Sequence, residues 1–207
     1  MANVNSPFGL RLLQRQNDAT PSFGLGMDPL KIASANAVKA ARGDGLQRLA
    51  TGYVSAVAAA AVPVSQWVGV FWGCQYLSAS QGKRIVSPFW NGADAIGDVD
   101  VAYIPLSGTP NARFVIQSSA GPLTFADIGL NYDIAYAAPT IYGSWAKSGL
   151  TLAAAGATTA TLPFRLVGLW SQYAGRRAVS AGQPGTDDTS TFNWGVVEFN
   201  GEQETGI

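Results

Sequence analysis

The sequence predicts a mainly β fold, a single compact antiparallel β-barrel or β-sandwich, and three observations favour it. Apolar residues recur at every second position in several separated runs, which is the periodicity of a half-buried strand. Clusters of Gly, Pro, Asn, Asp and Ser lie between these runs and are typical of tight turns. Helical periodicity with a capping residue at each end is weak throughout. Short strands at near-regular spacing, joined by such turns, indicate an all-β domain.

We expect residues 1–24 to form an extended N-terminal arm and residues 25–207 to form the β domain. The opening MANVNSPFGLRLLQRQN does not have the pattern of a secretory signal, because its first positive charge, Arg11, follows the apolar residues. Pro7 and Gly9 also interrupt this stretch and make it a poor helix. Such an arm has little to fold onto by itself, so we predict that it lies against another chain.

Five arm residues are candidates for binding that partner. Phe8 and Leu10 would fill apolar pockets on a neighbouring chain, and Arg11 would pair there with a carboxylate or a carbonyl group. Pro7 and Arg15 flank these three residues and belong to the same predicted contact. The arm is thus predicted to act as an extended strap along a partner rather than as part of the domain.

The longest uncharged segment, residues 51–82, could form a transmembrane helix or two buried strands. It is long enough to span a bilayer. However, Pro63 and polar neighbours would lie near the bilayer centre, and Pro63 would break a helix there, whereas it is tolerated at the start of a strand. In the second half, Val68, Val70 and Trp72 occupy alternate positions, as in a strand. We therefore predict two buried strands and no membrane partner.

The remaining strands are predicted from the same two signals. The segment 43–57 has a Gly-Asp turn, a short strand and a Thr-Gly turn before a second strand, which indicates a hairpin. The segment 33–42 has helical composition, and 123–129 could make a single helical turn, but neither has caps at both ends. Further strands are expected in the segments 98–106, 111–119, 131–137, 159–170 and 192–200.

The chain of 207 residues is rich in apolar residues and poor in charge. Thirteen basic and thirteen acidic residues cancel, so no charge excess favours binding to nucleic acid or to an anionic membrane. Charged residues make up 13% of the chain, about half the usual globular share, and apolar residues make up 47%. Such a surface is typical of a protein that partners cover in an assembly. The alternative is a small apolar globule that Ser, Thr, Gln and Asn keep soluble.

The absence of histidine and the single cysteine restrict the possible chemistry. Without histidine there is no Ser-His-Asp or Cys-His catalysis, no HExxH helix and no His-based metal site. Cys74 lies in an apolar run, where a buried structural thiol is favoured over a reactive nucleophile. Catalysis by Asp, Glu, Lys or Ser alone stays possible, but no sequence motif for it is apparent. We predict that the protein is not an enzyme and has no catalytic residue, metal site or cofactor.

The densest acidic cluster contains Asp94, Asp98 and Asp100. It has neither the ligand spacing nor the terminal Glu of an EF-hand calcium loop. Asp and Gly are common in turns for backbone reasons of their own. We therefore interpret these three residues as turn carboxylates that precede a strand.

Phe89 and Trp90 are predicted to lie at a turn, because they follow Pro88 and precede Asn91 and Gly92. At least one of the two rings should then be exposed to solvent. An exposed Trp ring favours a protein interface, where burying it contributes strongly to binding. We predict that Phe89 and Trp90 contact a partner or another subunit.

Several stretches, taken together, resemble one known family. The opening MANVNSPFGLRLL is similar to the MAN-x-x-x-PFGLRP start of small head proteins of tailed bacteriophages, and departs from it at Leu12-Leu13, where the usual Pro is absent. Six later stretches match in the same order and cover most of the chain: ARGDGLQRLATGYV, WVGVFWGCQY, GDVDVAYIPL, NARFVIQSS, ADIGLNYDIA and TATLPFRLVGL. The resemblance is to capsid cement or decoration proteins.

This resemblance implies a structural virion protein on the outer surface of the capsid, present in the host cytoplasm during assembly. Its expected partners are the major capsid protein, whose expanded shell it would stabilise, and other copies of itself. A homotrimer is expected, with a dimer as the alternative. The family also implies a compact β-barrel or β-sandwich. The alternative function is a head fibre or a host-glycan-binding module, in which exposed aromatic rings would stack on sugars.

Overall fold

The computed structural model describes residues 2–14, 30–106, 112–173 and 184–200, and their fold is mainly β, as predicted. Two larger antiparallel sheets and three short strand pairs make up this fold. In chain order the strands are β1 (Arg11–Gln14), β2 (Leu30–Ile32), β3 (Ala40–Ala41), β4 (Gly45–Arg48), β5 (Val54–Ala56), β6 (Trp67–Ser78), β7 (Arg84–Ser87), β8 (Phe89–Trp90), β9 (Ala95–Pro105), β10 (Arg113–Gln117), β11 (Asn131–Tyr132), β12 (Ile134–Ala135), β13 (Thr140–Tyr142), β14 (Trp145–Lys147), β15 (Thr151–Leu152), β16 (Phe164–Leu169) and β17 (Trp194–Phe199). The helical elements of the described residues are α1 (Trp170–Tyr173) and two 3-10 turns, Val64–Gln66 and Phe125–Asp127.

The first sheet has the strand order β1-β10-β17-β16-β11 and is antiparallel throughout. Phe114, Leu166 and Val197 project from its strands into the first apolar core and are fully buried. The N-terminal strand β1 forms one edge of the sheet, where Leu12 lies opposite Phe114. The residues that precede β1 therefore enter the fold at the edge of this sheet.

The second sheet has the strand order β2-β9-β6-β4-β5, and β7 also pairs with β6. The strands β2 and β5 contact each other, but no ladder between the described residues closes the sheet into a barrel. Trp67 of β6 contacts Phe164 of β16 edge-on, with 5.1 Å between the ring centroids, so the two sheets pack against each other. Of the two predicted architectures, the fold is therefore sandwich-like.

The long strands β6 and β9 are packed on both faces. Val70 and Ile104 belong to the first core, whereas their neighbours Phe71 and Tyr103 belong to a second core. Successive side chains of a strand point to opposite faces of the sheet, so each strand contributes to both cores. This burial on two sides explains why the sequence around β6 is apolar at nearly every position rather than at every second one.

The uncharged segment 51–82 forms strands, as predicted. It contains β5, the 3-10 turn Val64–Gln66, which follows Pro63, and the twelve residues of β6. In the described part of the chain, no helix combines the length and the apolar character that crossing a bilayer requires.

The other predicted strands are also confirmed. The hairpin predicted from the Gly-Asp and Thr-Gly turns is formed by β4 and β5, which pair in register. The five later segments predicted as strands, 98–106, 111–119, 131–137, 159–170 and 192–200, correspond to β9, β10, the short strands β11 and β12, β16 and β17, respectively. The single helical turn expected within 123–129 is the 3-10 turn Phe125–Asp127, which Thr124 and Asp127 close with a capping box.

The segment 33–42 is not helical, although its composition is typical of a helix. Its last buried residues, Ala40 and Ala41, form β3 and pair with β8. Intrinsic helix propensity amounts to only a few tenths of a kcal/mol per residue, so pairing with a buried strand overrides it. The small Ala40 side chain lies in the second core together with the large Trp90 ring of β8.

Residues 2–14 belong to the domain, which corrects the prediction of a separate arm that ends at residue 24. The strand β1 supplies an edge of the first sheet, and Leu10 is only 2% exposed in the first core. A sheet edge has unpaired N–H and C=O groups, and β1 satisfies those of β10 within the same chain. We call residues 2–14 the strap. Arg15 and the rest of the predicted arm lie outside the described residues.

Candidate functional site

The strap is fixed at its start by the side chain of Asn3. The Asn3 backbone N–H donates to Ser190 Oγ at 3.1 Å, and the Asn3 Nδ2 group donates to the Asp187 carbonyl at 2.9 Å. The Gly185 N–H in turn donates to Asn3 Oδ1 at 3.1 Å. One asparagine thus satisfies both its donor and its acceptor group on the segment that leads into β17, which sets the direction of the strap.

The middle of the strap is held by two strands of the domain. The Ser6 N–H donates to the side-chain oxygen of Gln117 at 3.0 Å, and Gln117 Nε2 donates to Asn5 Oδ1 at 2.8 Å. Gln117 lies at the end of β10 and is fully buried. The Lys147 ammonium of β14 donates to Ser6 Oγ at 2.6 Å. These bonds place the strap between β10 and the β13-β14 hairpin.

Gly9 allows the strap to pass close to the turn before β4. Its φ is +73°, and a Cβ atom at this position would lie 2.5 Å from the Gly43 carbonyl oxygen, which is far inside contact distance. The next residue, Leu10, donates its N–H to that same oxygen at 2.8 Å. The close approach lets the Leu10 side chain enter the first core, so Gly9 is needed for both backbone conformation and space.

A groove of about 470 Å³ lies between the strap, the turn before β4, β6 and the β13-β14 hairpin. We call it the strap groove. Its lining combines apolar, aromatic and cationic side chains. The residues that line it are Phe8, Leu10, Arg11, Arg42, Gly43, Trp72, Trp145, Ala146, Lys147 and Ser148.

Two guanidinium groups of the strap groove lie over aromatic rings. The Arg42 guanidinium carbon is 4.3 Å from the centre of the Trp72 ring, and Arg42 Nε donates to the Trp72 carbonyl at 3.1 Å. The Arg11 guanidinium carbon is 5.1 Å from the centre of the Phe8 ring. Phe8 itself packs edge-on against Trp194, with 4.7 Å between centroids. Cation–π contact of this kind orients a guanidinium while leaving its outer N–H groups free to bind.

The rim of the strap groove carries an exposed pair of stacked rings. Tyr142 and Trp145 lie 4.2 Å apart between centroids with nearly parallel planes, and they are 48% and 53% exposed. They face each other across the two-residue turn of the β13-β14 hairpin, in which Gly143 has a φ of +59°. Stacking fixes both rings at low entropic cost, so a partner would meet a rigid aromatic surface.

A buried carboxyl group, Asp44, lies behind the groove floor. The Ser148 hydroxyl donates to Asp44 Oδ1, and the Ala41 N–H donates to Asp44 Oδ2 at 2.7 Å. Asp44 is only 2% exposed, and this burial raises its pKa to about 6, although the two hydrogen bonds oppose the shift. Ser148 also accepts the Leu150 N–H at 3.1 Å. Asp44 therefore ties the turn before β4 to the loop after β14.

The lining of the strap groove is electrostatically one-sided. It contains three cationic side chains, Arg11, Arg42 and Lys147, and no carboxylate. Asp44 does not line the groove, but it accepts a hydrogen bond from the lining residue Ser148. In a chain with no net charge, this is a local concentration of positive charge beside exposed aromatic rings. The groove is therefore suited to bind an anionic group that has an apolar neighbour.

The structure brings three of the predicted partner-binding residues together at this groove. Phe8, Leu10 and Arg11 line it, and Phe8 and Leu10 also pack against other parts of the same chain, Phe8 on Trp194 and Leu10 in the first core. Pro7 is half-buried within the strap. Arg15 lies outside the described residues.

Phe89 and Trp90 do not form the predicted exposed turn. They form β8, and the Trp90 ring is fully buried in the second core, edge-on to Tyr76 at 5.3 Å between centroids. The Trp90 Nε1–H donates to the Asn36 carbonyl at 3.0 Å, which satisfies its only polar atom. Phe89 is half-buried. The expected exposure is wrong for Trp90 because pairing with β3 turns its ring inward, so it offers no surface to a partner.

The sequence reasoning missed the residues that dominate the strap groove: Arg42, Trp72, Tyr142, Trp145 and Lys147. A signal for the hairpin was present, since Gly-Ser between two runs of β-forming residues is typical of a two-residue turn. No comparable signal exists for the Arg42–Trp72 contact, because the two residues are thirty positions apart in the chain.

The acidic cluster only partly matches the prediction, because Asp94 lies just before β9, whereas Asp98 and Asp100 lie within that strand. Asp94 accepts the Ser78 hydroxyl at 2.6 Å and the Ser80 N–H at 2.8 Å, and the Ser78 hydrogen bond contributes most to lowering its pKa. Asp98 accepts the Tyr53 hydroxyl at 3.1 Å. Among the residues that the structure describes, no group of three or more potential ligands could hold a metal ion.

The single cysteine is a buried structural thiol. Cys74 lies in β6, is fully buried in the second core and donates its Sγ–H to the Phe89 carbonyl at 3.3 Å. Burial raises its pKa to about 12. The thiolate form is therefore scarce at neutral pH, and a nucleophilic role is disfavoured.

Comparison with protein-family models, with curated proteins and with solved structures finds no match to this chain.

Proposed function

We propose that the protein is a structural virion protein, a capsid cement or decoration protein that binds the major capsid protein on the outside of a phage head and stabilises the expanded shell. The observation that carries the proposal is the strap groove with its exposed aromatic rim. Its walls come from four separate parts of the chain, and hydrogen bonds and ring contacts hold them in place. The ordered resemblance to head proteins of tailed bacteriophages supports the same assignment.

The exposed pair Tyr142 and Trp145 is the expected centre of the capsid contact. Large rings that become fully desolvated contribute more to binding than most other interface residues. Because the pair is already stacked, little conformational entropy is lost when a partner covers it. Many copies bound to one shell would add avidity to a contact of ordinary size.

Contact with further copies of the same chain is part of the proposal, as a homotrimer or, alternatively, a dimer. Leu77, Val86 and Ile96 are 39%, 66% and 55% exposed, and the registers of β6 with β7 and β9 place them on one face of the second sheet. A second copy is the occupant that we assign to this apolar face, because a chain without net charge has no repulsion against its own copies. This face replaces Trp90 as the candidate subunit contact.

The copy number in purified particles tests the proposal. We expect close to one copy of this chain per major capsid protein subunit, measured by a quantitative gel of virions from the phage that encodes it. Purified protein added to expanded heads that lack it should also bind and raise their resistance to heat. A sparse protein that does not bind such heads would contradict the proposal.

The second candidate function is a head fibre or a host-glycan-binding module. The exposed Trp145 favours it, because indole rings commonly stack on the apolar face of a sugar. Such a module would be present in few copies per particle. It would also bind oligosaccharides in solution, with loss of that binding in Trp145→Ala, whereas a cement protein would show no such binding.

A further inference from the structure

We infer that the strap groove binds an acidic segment of the capsid partner, in which a carboxylate side chain is flanked by an apolar one. The inference rests on the proposed function and specifies the chemistry of its contact. It follows from three features of the groove: the positions of its guanidinium groups, the lack of carboxylates in its lining, and the apolar surface between the charges.

The guanidinium group of Arg42 is positioned to receive a carboxylate. Its Nε donates to the Trp72 carbonyl, and its guanidinium carbon lies over the Trp72 ring, 4.3 Å from the ring centre. Within the described residues, its two terminal NH2 groups have no hydrogen-bond partner. A guanidinium that is fixed by stacking and by one hydrogen bond presents these groups as a planar fork, which matches the two oxygens of a carboxylate.

A second guanidinium and an ammonium group line the same groove. Arg11 lies over Phe8 and makes no side-chain hydrogen bond to the residues that the structure describes. Lys147 donates to Ser6 Oγ and retains further N–H groups. No acidic side chain lines the groove beside these charges. The nearby Asp44 carboxyl group is buried and already accepts hydrogen bonds from Ser148 and Ala41. A partner that supplies carboxylates would therefore gain attraction and lose little to competing ion pairs.

The apolar lining favours an acidic protein segment over a free anion. Ala146 and the Trp145 ring border the cationic groups. An inorganic anion would bind the guanidinium groups and leave this apolar surface in contact with water. A peptide with an aliphatic or aromatic side chain beside its carboxylate would cover both, and burial of the apolar area would add to the ion pairs.

Binding of charge-reversal variants to undecorated heads tests the inference. The heads would be assembled from the major capsid protein of the same phage and titrated with purified protein at low and at high salt. We expect Arg42→Glu to weaken binding by at least about tenfold and Trp145→Ala by about tenfold, as for central interface residues. Arg48→Glu, with the same charge change on an exposed residue of β4 outside the groove, is the matched control and should bind like the wild type.

A competition experiment distinguishes the kinds of anionic ligand. Short poly-L-glutamate should displace the wild-type protein from heads and should not bind the Arg42→Glu variant. Inorganic phosphate at equal charge should displace it much less. If phosphate competes equally well, or if a sialylated oligosaccharide binds the groove more tightly than the peptide does, the inference of an acidic protein segment is overturned.

The outcomes separate the inference from the proposed function. If the wild-type protein does not bind the heads, the proposed function fails. If the wild type binds, and Arg42→Glu binds with the same affinity and the same salt dependence, the capsid contact lies elsewhere and the inference alone is overturned. Unchanged circular dichroism and thermal unfolding of each variant would show that the effects do not come from misfolding.

Discussion

Asp44 connects the chemistry of the groove region to the stability of the fold. Its carboxyl group is buried behind Ser148 and accepts two hydrogen bonds, yet burial outweighs them and raises its pKa from 3.8 to about 6. The folded state therefore holds this proton over a pH range in which the unfolded state releases it. Stability must then fall as the pH rises from about 4 to about 6, because the folded chain has to bury a charge.

We expect this group to make the protein less stable at pH 7 than at pH 4 by about 2 kcal/mol, from a pKa difference of about two units. Well below the unfolded-state pKa of 3.8 both states are protonated and the contribution vanishes. Urea unfolding at pH 4, 5, 6 and 7 measures the change, and Asp44→Asn should remove it. The exposed Asp98→Asn variant is the control and should keep the wild-type profile. An Asp44→Asn variant with the wild-type profile would contradict the assignment.

At the scale of elements, the strap is where the structure differs most from the predicted organisation of the chain. A separate arm could be removed without loss of the domain. The described residues of the strap instead supply an edge strand, a core side chain and the wall of a groove. The same segment that would meet a partner is therefore also part of the fold that presents the groove.

Leu10→Ala should accordingly destabilise the domain by about 2–5 kcal/mol, the range for a fully buried leucine in a core. Leu49→Ala is the matched control, because Leu49 is 37% exposed and its truncation leaves no cavity. The urea midpoints of the two variants give the comparison. Equal midpoints would mean that the strap contributes nothing to the domain, as the separate-arm prediction requires.

The strands that could be predicted are those whose own residues show the apolar periodicity of a strand or are bounded by typical turn residues. Two turn dipeptides predict β4 and β5. Alternating or continuous apolar runs predict β6, β9, β10 and β17. The signal is local in each case, since strand periodicity and turn chemistry depend on neighbouring residues.

The elements that could not be predicted are those that a distant partner determines. Ala40 and Ala41 become a strand because β8 pairs with them, and Trp90 is buried by the same pairing. β1 becomes a strand because β10 lacks a partner on that side. The candidate site was predictable only in part for the same reason: Phe8, Leu10 and Arg11 are close in sequence, whereas Arg42, Trp72 and Trp145 meet them only through the fold.

At the scale of the whole molecule, charge and exposed apolar area favour assembly. The chain has no net charge, and an exposed apolar face on the second sheet is formed by Leu77, Val86 and Ile96. A closed symmetric oligomer would cover that face in every copy and leave no site for open-ended growth. The strap groove and this apolar face are formed by different residues, although both include part of β6. Self-contact and capsid contact would therefore use different residues of the same chain.

We therefore expect the purified protein to be a trimer at micromolar concentration, or a dimer as the alternative, when measured by multi-angle light scattering. Val86→Lys should shift it toward the monomer, because burying a lysine in an apolar contact costs several kcal/mol. Val4→Lys, the same substitution on a 76% exposed residue of the strap, is the control and should leave the mass unchanged. A monomeric wild type would exclude a preformed oligomer. An oligomer that Val86→Lys leaves intact would show that the subunits meet through another surface.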